Sequence, residues 1–189
     1  MSESATSVGE ARRREIVDAT IDVIAAHGLA GASLSRIASR AGVSKPAVLY
    51  HVENRDALIE STVKVVRSGY VEAVDAAVEE APDARQAVFS YVEQSLRYLW
   101  AHPTHLRVLA EMAHAAPDRA KTRTSELVKL IEKGASEGVL ATSDPLSTAV
   151  AITGALDAIL DHGLNVSGEE QENLAAEAVG LVDRIVTPR

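Results

Sequence analysis

The fold of this chain is decided by residues 33–55, which read SLSRIASRAGVSKPAVLYHVENR. In the first part of this stretch apolar residues recur at the spacing of a helix, and Ser33 stands in front of them as an N-cap. Gly42 follows the last of them and can adopt the left-handed conformation that ends a helix. Ser44 can cap a second helix, whose first turn tolerates Pro46 because that N–H has no intrahelical partner. Two short helices joined by a tight glycine turn predict a helix-turn-helix.

The second of these helices carries residue types that suit a groove of duplex DNA. Lys45 can donate to guanine O6 or N7, and the small apolar Pro46 and Ala47 can meet a thymine methyl group. Tyr50 and His51 can reach phosphates from the flank. A helix of this kind enters the major groove with its N-terminal end against the base edges. The pattern therefore predicts a nucleic-acid interface.

Residues 41–59, AGVSKPAVLYHVENRDALI, resemble the helix-turn-helix signature of the TetR family of one-component bacterial transcription regulators. The resemblance extends over residues 14–58. Two positions depart from the commonest pattern of that family, since Leu49 replaces a frequent Tyr that touches phosphate and Val52 stands where Phe is usual. The resemblance implies a regulator, most often a repressor, that binds a palindromic operator as a homodimer and is released by a small-molecule effector.

The expected DNA-binding residues lie in and beside the helix-turn-helix, and Arg55 is expected to anchor a phosphate just after an Asn54 N-cap. The set comprises Ser33, Ser35, Lys45, Pro46, Ala47, Tyr50, His51 and Arg55. The net charge of −8 argues against nucleic acid for the chain as a whole, but basic residues outnumber acidic ones between residues 10 and 55. We expect binding through specific geometry rather than through a broad basic patch.

The amino-acid composition narrows the class of protein, its compartment and the cofactors that it could hold. Hydrophobic residues make up 47% of the chain, which is typical of a globular protein, and no cysteine is present for a disulfide or a thiolate metal site. The N-terminal residues show no signal-peptide pattern, and no apolar run approaches the length of a membrane span. We therefore expect a cytoplasmic protein with no membrane partner and no cofactor.

The helical periodicity predicts an all-α fold with an N-terminal three-helix head, which contains the helix-turn-helix, followed by a helical ligand-binding and dimerisation domain. The expected divisions are a flexible tail over residues 1–9, a DNA-binding domain over residues 10–55 and a ligand-binding and dimerisation domain over residues 56–189. A long apolar stripe begins at Asn54 and continues to Pro82, so one helix is expected to belong to both the head and the body.

Apart from Tyr50, every aromatic residue lies between residues 70 and 100. Large rings beside a few polar groups are typical of small-molecule pockets, so this region is the expected effector site. The expected ligand-binding residues are Tyr70, Tyr91, Gln94, Tyr98 and Trp100. The alternative is ordinary core, which suits Phe89 and Trp100 at least as well.

The last two helices carry more apolar surface than one face can bury, which indicates a four-helix bundle with a second copy of the chain. The expected dimer-interface residues are Leu156, Ile159, Leu181 and Ile185.

Two other functions compete with a ligand-responsive regulator. An enzyme is disfavoured because the chain has no glycine-rich phosphate loop, nucleophile elbow or paired-carboxylate arrangement. A metal-sensing or protein-interaction helical module is the other alternative, because His102, His105 and His114 cluster around Pro103. Their spacing matches no tight ligand motif, so no metal site is expected. The sequence does not identify the operator, the effector, the regulated genes or the sign of regulation.

Overall fold

The computed structural model describes the backbone of residues 2–115 and 117–187, and the side chains of residues 9–113, 115 and 124–187. Within these residues the chain forms nine α-helices and no strand, so the predicted all-α class is confirmed. The helices are α1 (Ser2–Gly31), α2 (Leu34–Arg40), α3 (Lys45–His51), α4 (Arg55–Glu79), α5 (Ala84–Ala101), α6 (Pro103–Ala115), α7 (Pro117–Ser136), α8 (Pro145–Gly163) and α9 (Gly168–Val186). In the described part of the chain, no helix is long and apolar enough to cross a membrane.

The helices fall into two compact units. The N-terminal unit contains the residues up to Ser68 together with Thr104–Ala115, and the C-terminal unit contains Gly69–Pro103 together with the residues after Ala115. This division differs from the predicted boundary between residues 55 and 56. The reason is packing, because Leu58 of α4 and Val108 of α6 are buried in the same apolar cluster as the first three helices.

The helix-turn-helix forms where the sequence predicts it. The hydroxyl of Ser33 accepts a hydrogen bond from the Arg36 amide at 3.3 Å, and that of Ser44 accepts one from the Ala47 amide at 3.2 Å. Gly42 has a φ of 65°, so it takes the left-handed conformation that its position between the helices requires. These local contacts mark the beginning of α2, its end and the beginning of α3.

The helix-turn-helix packs on α1 through a shared apolar core. Ile16 and Ile24 of α1, Ile37 of α2 and Val48 of α3 are all fully buried in it. Helix α1 is interrupted at Gly28, which has a φ of 68°. At its other end the backbone of residues 2–9 is helical, whereas we predicted a flexible tail there. The flexibility of that segment stays a prediction.

In the C-terminal unit α5 packs against α7, α8 and α9, and α8 packs against α7 and α9. Asp144 caps α8 by accepting hydrogen bonds from the Leu146 and Ser147 amides at 3.3 and 3.1 Å. These bonds and the Ser147 hydroxyl hold the pKa of Asp144 below its usual value. A capping box between Ser167 and Glu170 begins α9, and the sequence analysis did not identify it.

Candidate functional site

The exposed face of α3 is formed by four residues at helical spacing. Lys45, Pro46, Leu49 and Tyr50 are exposed, while Val48 on the opposite side of the helix is fully buried. Tyr50 is 85% exposed, which is unusual for a large aromatic side chain. Packing of Val48 therefore decides which residues α3 presents to a partner.

Lys45 is the basic side chain of this face that can still bind an anionic partner. Among the described residues, none forms a hydrogen bond or ion pair with it. Neighbouring arginines are committed within the chain, since Arg36 donates to the carbonyl of Gly31 and Arg40 pairs with Asp22 at 2.5 Å. The positive charge that α3 can bring to an anionic ligand is thus concentrated at its first residue.

The other predicted DNA-binding residues occupy several environments. Ser33 and Ser35 are exposed at the start of α2, and the Ser33 hydroxyl oxygen already serves as a cap. Ala47 is half-buried. His51 is half-buried and meets the Tyr50 ring edge-on, with the ring centroids 5.2 Å apart, so the two rings hold each other in place beside the exposed face.

Arg55 occupies a different position from the one expected of a phosphate anchor. Its Nε donates to the carbonyl of Ala32 at 2.7 Å, and a terminal nitrogen donates to the carbonyl of Leu29. Its other terminal nitrogen pairs with Asp56 at 2.8 Å. The side chain thus ties the start of α4 to the loop before α2. These contacts give Arg55 a structural role that its spacing in sequence does not reveal, and its contact with a phosphate stays a prediction.

The predicted ligand-binding tyrosines form a cluster in the C-terminal unit. The buried Tyr70 of α4 shares a hydrogen bond of 2.8 Å with the buried Ser95 of α5, and its ring lies 5.9 Å from that of Tyr98. Tyr98 in turn stacks on His102, with the centroids 4.3 Å apart. Gly69 leaves space for the phenol, because a Cβ at this position would lie 2.8 Å from the Tyr98 oxygen.

The environment of Tyr98 keeps its phenol protonated. Desolvation raises the pKa of Tyr98, and the carboxylate of Glu72 raises it further by disfavouring a second negative charge. A protonated phenol can donate a hydrogen bond to a ligand oxygen. Sequence reasoning did not assign Ser95, Glu72 or His102 to this cluster, and the glycine inside the apolar stripe of α4 is the signal that could have indicated a close contact there.

Tyr91 and Gln94 lie on the side of α5 that carries Tyr98. Tyr91 is buried and Gln94 is half-buried, and both stand at helical spacing from Tyr98. Their contact with a ligand stays a prediction.

Trp100 lies on another side of α5, since two positions along a helix correspond to a rotation of about 200°. Its indole Nε1 donates to the carbonyl of Leu160 at 3.2 Å, and its ring packs so closely on Gly163 that a Cβ there would lie 2.3 Å from it. The indole is thereby buried against the end of α8. Trp100 therefore packs between α5 and α8, and its contact with a ligand stays a prediction.

The predicted dimer-interface residues divide into two groups. Leu156 is only 2% exposed within a single chain, so it belongs to the core of its own unit, and its assignment to the interface is corrected. Ile159 is half-buried. Leu181 and Ile185 are 38% and 41% exposed and lie one turn apart on α9. On α8 the exposed apolar residues are Leu146 and Val150, which the prediction omitted.

The histidines do not form a recognisable metal centre in the described residues, where no group of three or more His, Asp or Glu side chains is placed to hold an ion. His102 is occupied by the stacking contact with Tyr98 and by a 2.8 Å hydrogen bond with the Tyr98 carbonyl. The side chain of His114 lies outside the described residues.

Comparison with known proteins supports the helix-turn-helix assignment. Residues 16–62 match the family model for bacterial regulatory proteins of the tetR family. The HTH-type transcriptional regulator BetI of Burkholderia mallei is 32% identical over 181 residues, which cover 79% of this chain and 92% of the relative. BetI of an Escherichia coli O45:K1 strain is 26% identical over 174 residues, covering 81% of this chain and 89% of the relative.

Solved structures share the fold at lower sequence identity. A TetR family transcription regulator from Marinobacter aquaeolei superposes with a TM-score of 0.78 at 18% identity, covering 97% of this chain and 100% of the other. At that identity the likeness concerns the fold alone. It extends over both units, whereas the family model matches only the first part of the chain.

The internal hydrogen bonds of Arg55 generate a stability prediction. Arg55→Ala should lower the free energy of unfolding by about 1–3 kcal/mol, because two backbone carbonyls lose charge-assisted donors. Arg13→Ala is the matched control, since Arg13 is exposed and has no partner among the described residues. Urea denaturation followed by circular dichroism measures both. Equal stability of the two variants would contradict the structural role.

Proposed function

Since this chain belongs to the TetR family of bacterial regulatory proteins, we propose that it is a repressor that a small-molecule effector releases from a palindromic operator. Family membership establishes that the chain is a DNA-binding transcription regulator and not an enzyme. The observation that supports the proposed operator binding is the exposed face of α3. There an uncommitted Lys45 and an 85% exposed Tyr50 stand beside arginines that are bonded within the chain.

The residues of this face define how the protein would read DNA. Lys45, at the N-terminal end of α3, would donate to guanine in the major groove, and Pro46 and Ala47 would contact thymine methyl groups. Tyr50 and His51 would reach the flanking phosphates, and Ser33 and Ser35 would do so from the start of α2. Arg55 is left out of this set because its donors are used inside the chain.

A palindromic operator requires a twofold dimer, for which the exposed apolar residues of α8 and α9 are the best candidates. Leu181 and Ile185 form one stripe on α9, and Leu146 and Val150 form another on α8. Exposed apolar side chains at helical spacing on two packed helices would bury surface against the same helices of a second copy. Two recognition helices would then meet half-sites about one helical turn, or a multiple of it, apart.

The effector would bind at the tyrosine cluster, with Tyr98 as its hydrogen-bond donor. The raised pKa of Tyr98 favours an uncharged phenol, which suits a ligand oxygen as acceptor. Tyr70, Tyr91 and Gln94 would contribute further contacts from α4 and α5. Release from DNA would follow if the effector binds more tightly to a conformation that does not match the operator.

The protein would act in the cytoplasm, where its DNA partner is found, and would need no cofactor. The alternative of a helical protein-interaction module is disfavoured, because the chain belongs to a family of DNA-binding transcription regulators. Metal sensing lacks a supporting observation among the described residues.

The first prediction of this proposal concerns base readout. Lys45→Ala should cost about 1–3 kcal/mol of operator affinity and relax the preference at one position in each half-site, because a bidentate base contact is lost. Selection of bound sequences from random duplexes measures the change. Recovery of no enriched palindrome by the wild-type protein would refute the proposed operator binding.

A second prediction concerns assembly. Leu181→Asp should convert the dimer to monomer, because a charge in an apolar interface would have no partner. Sedimentation velocity at micromolar concentration measures the mass of each species. Glu177→Gln, one turn earlier on the exposed side of α9, is the control and should remain dimeric. A monomeric wild-type protein would rule out this interface.

A third prediction concerns the effector. Compounds that raise the melting temperature of the wild type in a metabolite screen should also weaken its operator binding. Tyr98→Phe should lower the affinity for such a compound about tenfold through loss of one hydrogen bond, so about ten times more compound is needed for either effect, while operator affinity without compound stays unchanged. Phe keeps the ring that stacks on His102, so the fold is preserved. Compounds that act equally on wild type and variant would show that the site lies elsewhere.

A further inference from the structure

The junction between α1 and α2 has an unusual backbone. Gly28 takes a φ of 68° and a ψ of 172°, which interrupts the helix only a few residues before the Ser33 cap of α2. Because α2 and α3 follow directly, the conformation of residues 28–32 sets the direction in which the helix-turn-helix leaves α1. Whatever holds this junction therefore influences the orientation of α3.

A carboxylate from a distant part of the sequence holds one side of the junction. Glu111 of α6 accepts a hydrogen bond from the amide of Leu29 at 2.9 Å, although the two residues are 82 positions apart. A Cβ on Gly28 would lie 2.9 Å from the same carboxylate oxygen. Glycine is thus favoured at position 28 by its positive φ, and a Cβ there would also displace the Glu111 carboxylate.

Helix α6 is well placed to act as the support. Val108 is fully buried in the apolar cluster of the N-terminal unit, and Leu109 packs against that cluster. Glu111 follows within one turn of both residues. The backbone that carries the exposed Glu111 side chain is therefore held by core packing and is not part of a loop.

The carbonyl of Leu29 also accepts a hydrogen bond, and its donor belongs to α4. Arg55 donates to the carbonyl of Leu29 and, through Nε, to that of Ala32. Leu29 is thus bonded through its amide to α6 and through its carbonyl to α4. The two contacts fix the peptide planes on either side of one residue, which constrains both its φ and its ψ.

We propose that Glu111 is a positioning residue for DNA recognition, which acts from α6 through the Leu29 amide to hold the helix-turn-helix in the orientation that fits its operator. The proposal rests on the proposed function, because it concerns the affinity of the same α3 face for specific DNA. Glu111 itself does not touch DNA in this scheme. Loss of its bond affects base readout, which needs α3 at one angle, more than contacts with the phosphate backbone.

Electrostatics alone predicts the opposite result, which makes the proposal easy to test. DNA is an anion, so removal of a carboxylate from the N-terminal unit should strengthen binding to every duplex. If Glu111 acts by positioning, its removal instead weakens specific binding. Asp18→Ala is the matched control, because Asp18 is an exposed acid of α1 with no partner among the described residues.

The experiment measures dissociation constants at fixed salt for the operator selected by the wild type and for a scrambled duplex of equal length. Glu111→Ala should lower operator affinity roughly tenfold, the loss expected for one hydrogen bond to a charged group, and leave affinity for the scrambled duplex unchanged or higher. Glu111→Gln should recover most of the operator affinity, since its amide oxygen still accepts from Leu29. Amide hydrogen exchange at Leu29 should quicken in Glu111→Ala and less so in Glu111→Gln.

Operator affinity that is unchanged or increased in Glu111→Ala, as in Asp18→Ala, would overturn the proposal. A loss of equal size on operator and scrambled duplex would do the same, because it would indicate general destabilisation. If Glu111→Ala does not fold, Glu111→Gln decides. A Glu111→Gln protein that binds the operator no more tightly than the scrambled duplex would refute the role of the hydrogen-bond acceptor at position 111. If the wild-type protein prefers no duplex, the proposed function is refuted. If the wild-type protein and Glu111→Ala prefer the operator equally, only this inference is refuted.

Discussion

Backbone hydrogen bonding at the α1–α2 junction constrains the whole N-terminal unit. The left-handed Gly28 breaks the helical pattern, so nearby amides and carbonyls need partners from elsewhere. Three helices supply them, through Arg36 of α2, Arg55 of α4 and Glu111 of α6. Arginines that satisfy carbonyls are no longer free to bind phosphate. The stability of the junction thereby limits the positive charge available for DNA.

That limitation shapes how DNA would be recognised. With a net charge of −8 and its neighbouring arginines bonded internally, the protein has little nonspecific attraction for a polyanion. Binding must come from the fit of a few side chains in the groove. A helix as short as α3 is unstable alone, so the burial of Val48 both holds it in place and selects its exposed face.

Helix α5 of the C-terminal unit divides two tasks between its sides. Leu96 and Trp100 are buried, and Trp100 packs on the end of α8, where Gly163 makes room for the indole. Another side carries Tyr98, whose phenol fits against Gly69 of α4. In both places a glycine within a helix admits an aromatic ring, so the positions of the rings follow from the absence of a side chain on the neighbouring helix.

The sequence by itself determined several helix ends and the helix-turn-helix, because caps such as Ser33, Ser44 and Asp144 and the turn at Gly42 act over three or four residues. Apolar periodicity likewise predicted the buried stripe of α4, including Leu58 and Val66. These features depend only on near neighbours, which the sequence displays directly.

Only the tertiary structure decided the partners of individual side chains. Periodicity marks Leu156 and Leu181 alike as apolar, yet one is buried in its own chain and the other is exposed. Arg55 bonds to carbonyls more than twenty positions away, and Glu111 bonds to an amide 82 positions away. Such pairings arise when distant segments pack together, and the spacing of residues along the chain carries no information about which distant backbone group will be left without a partner.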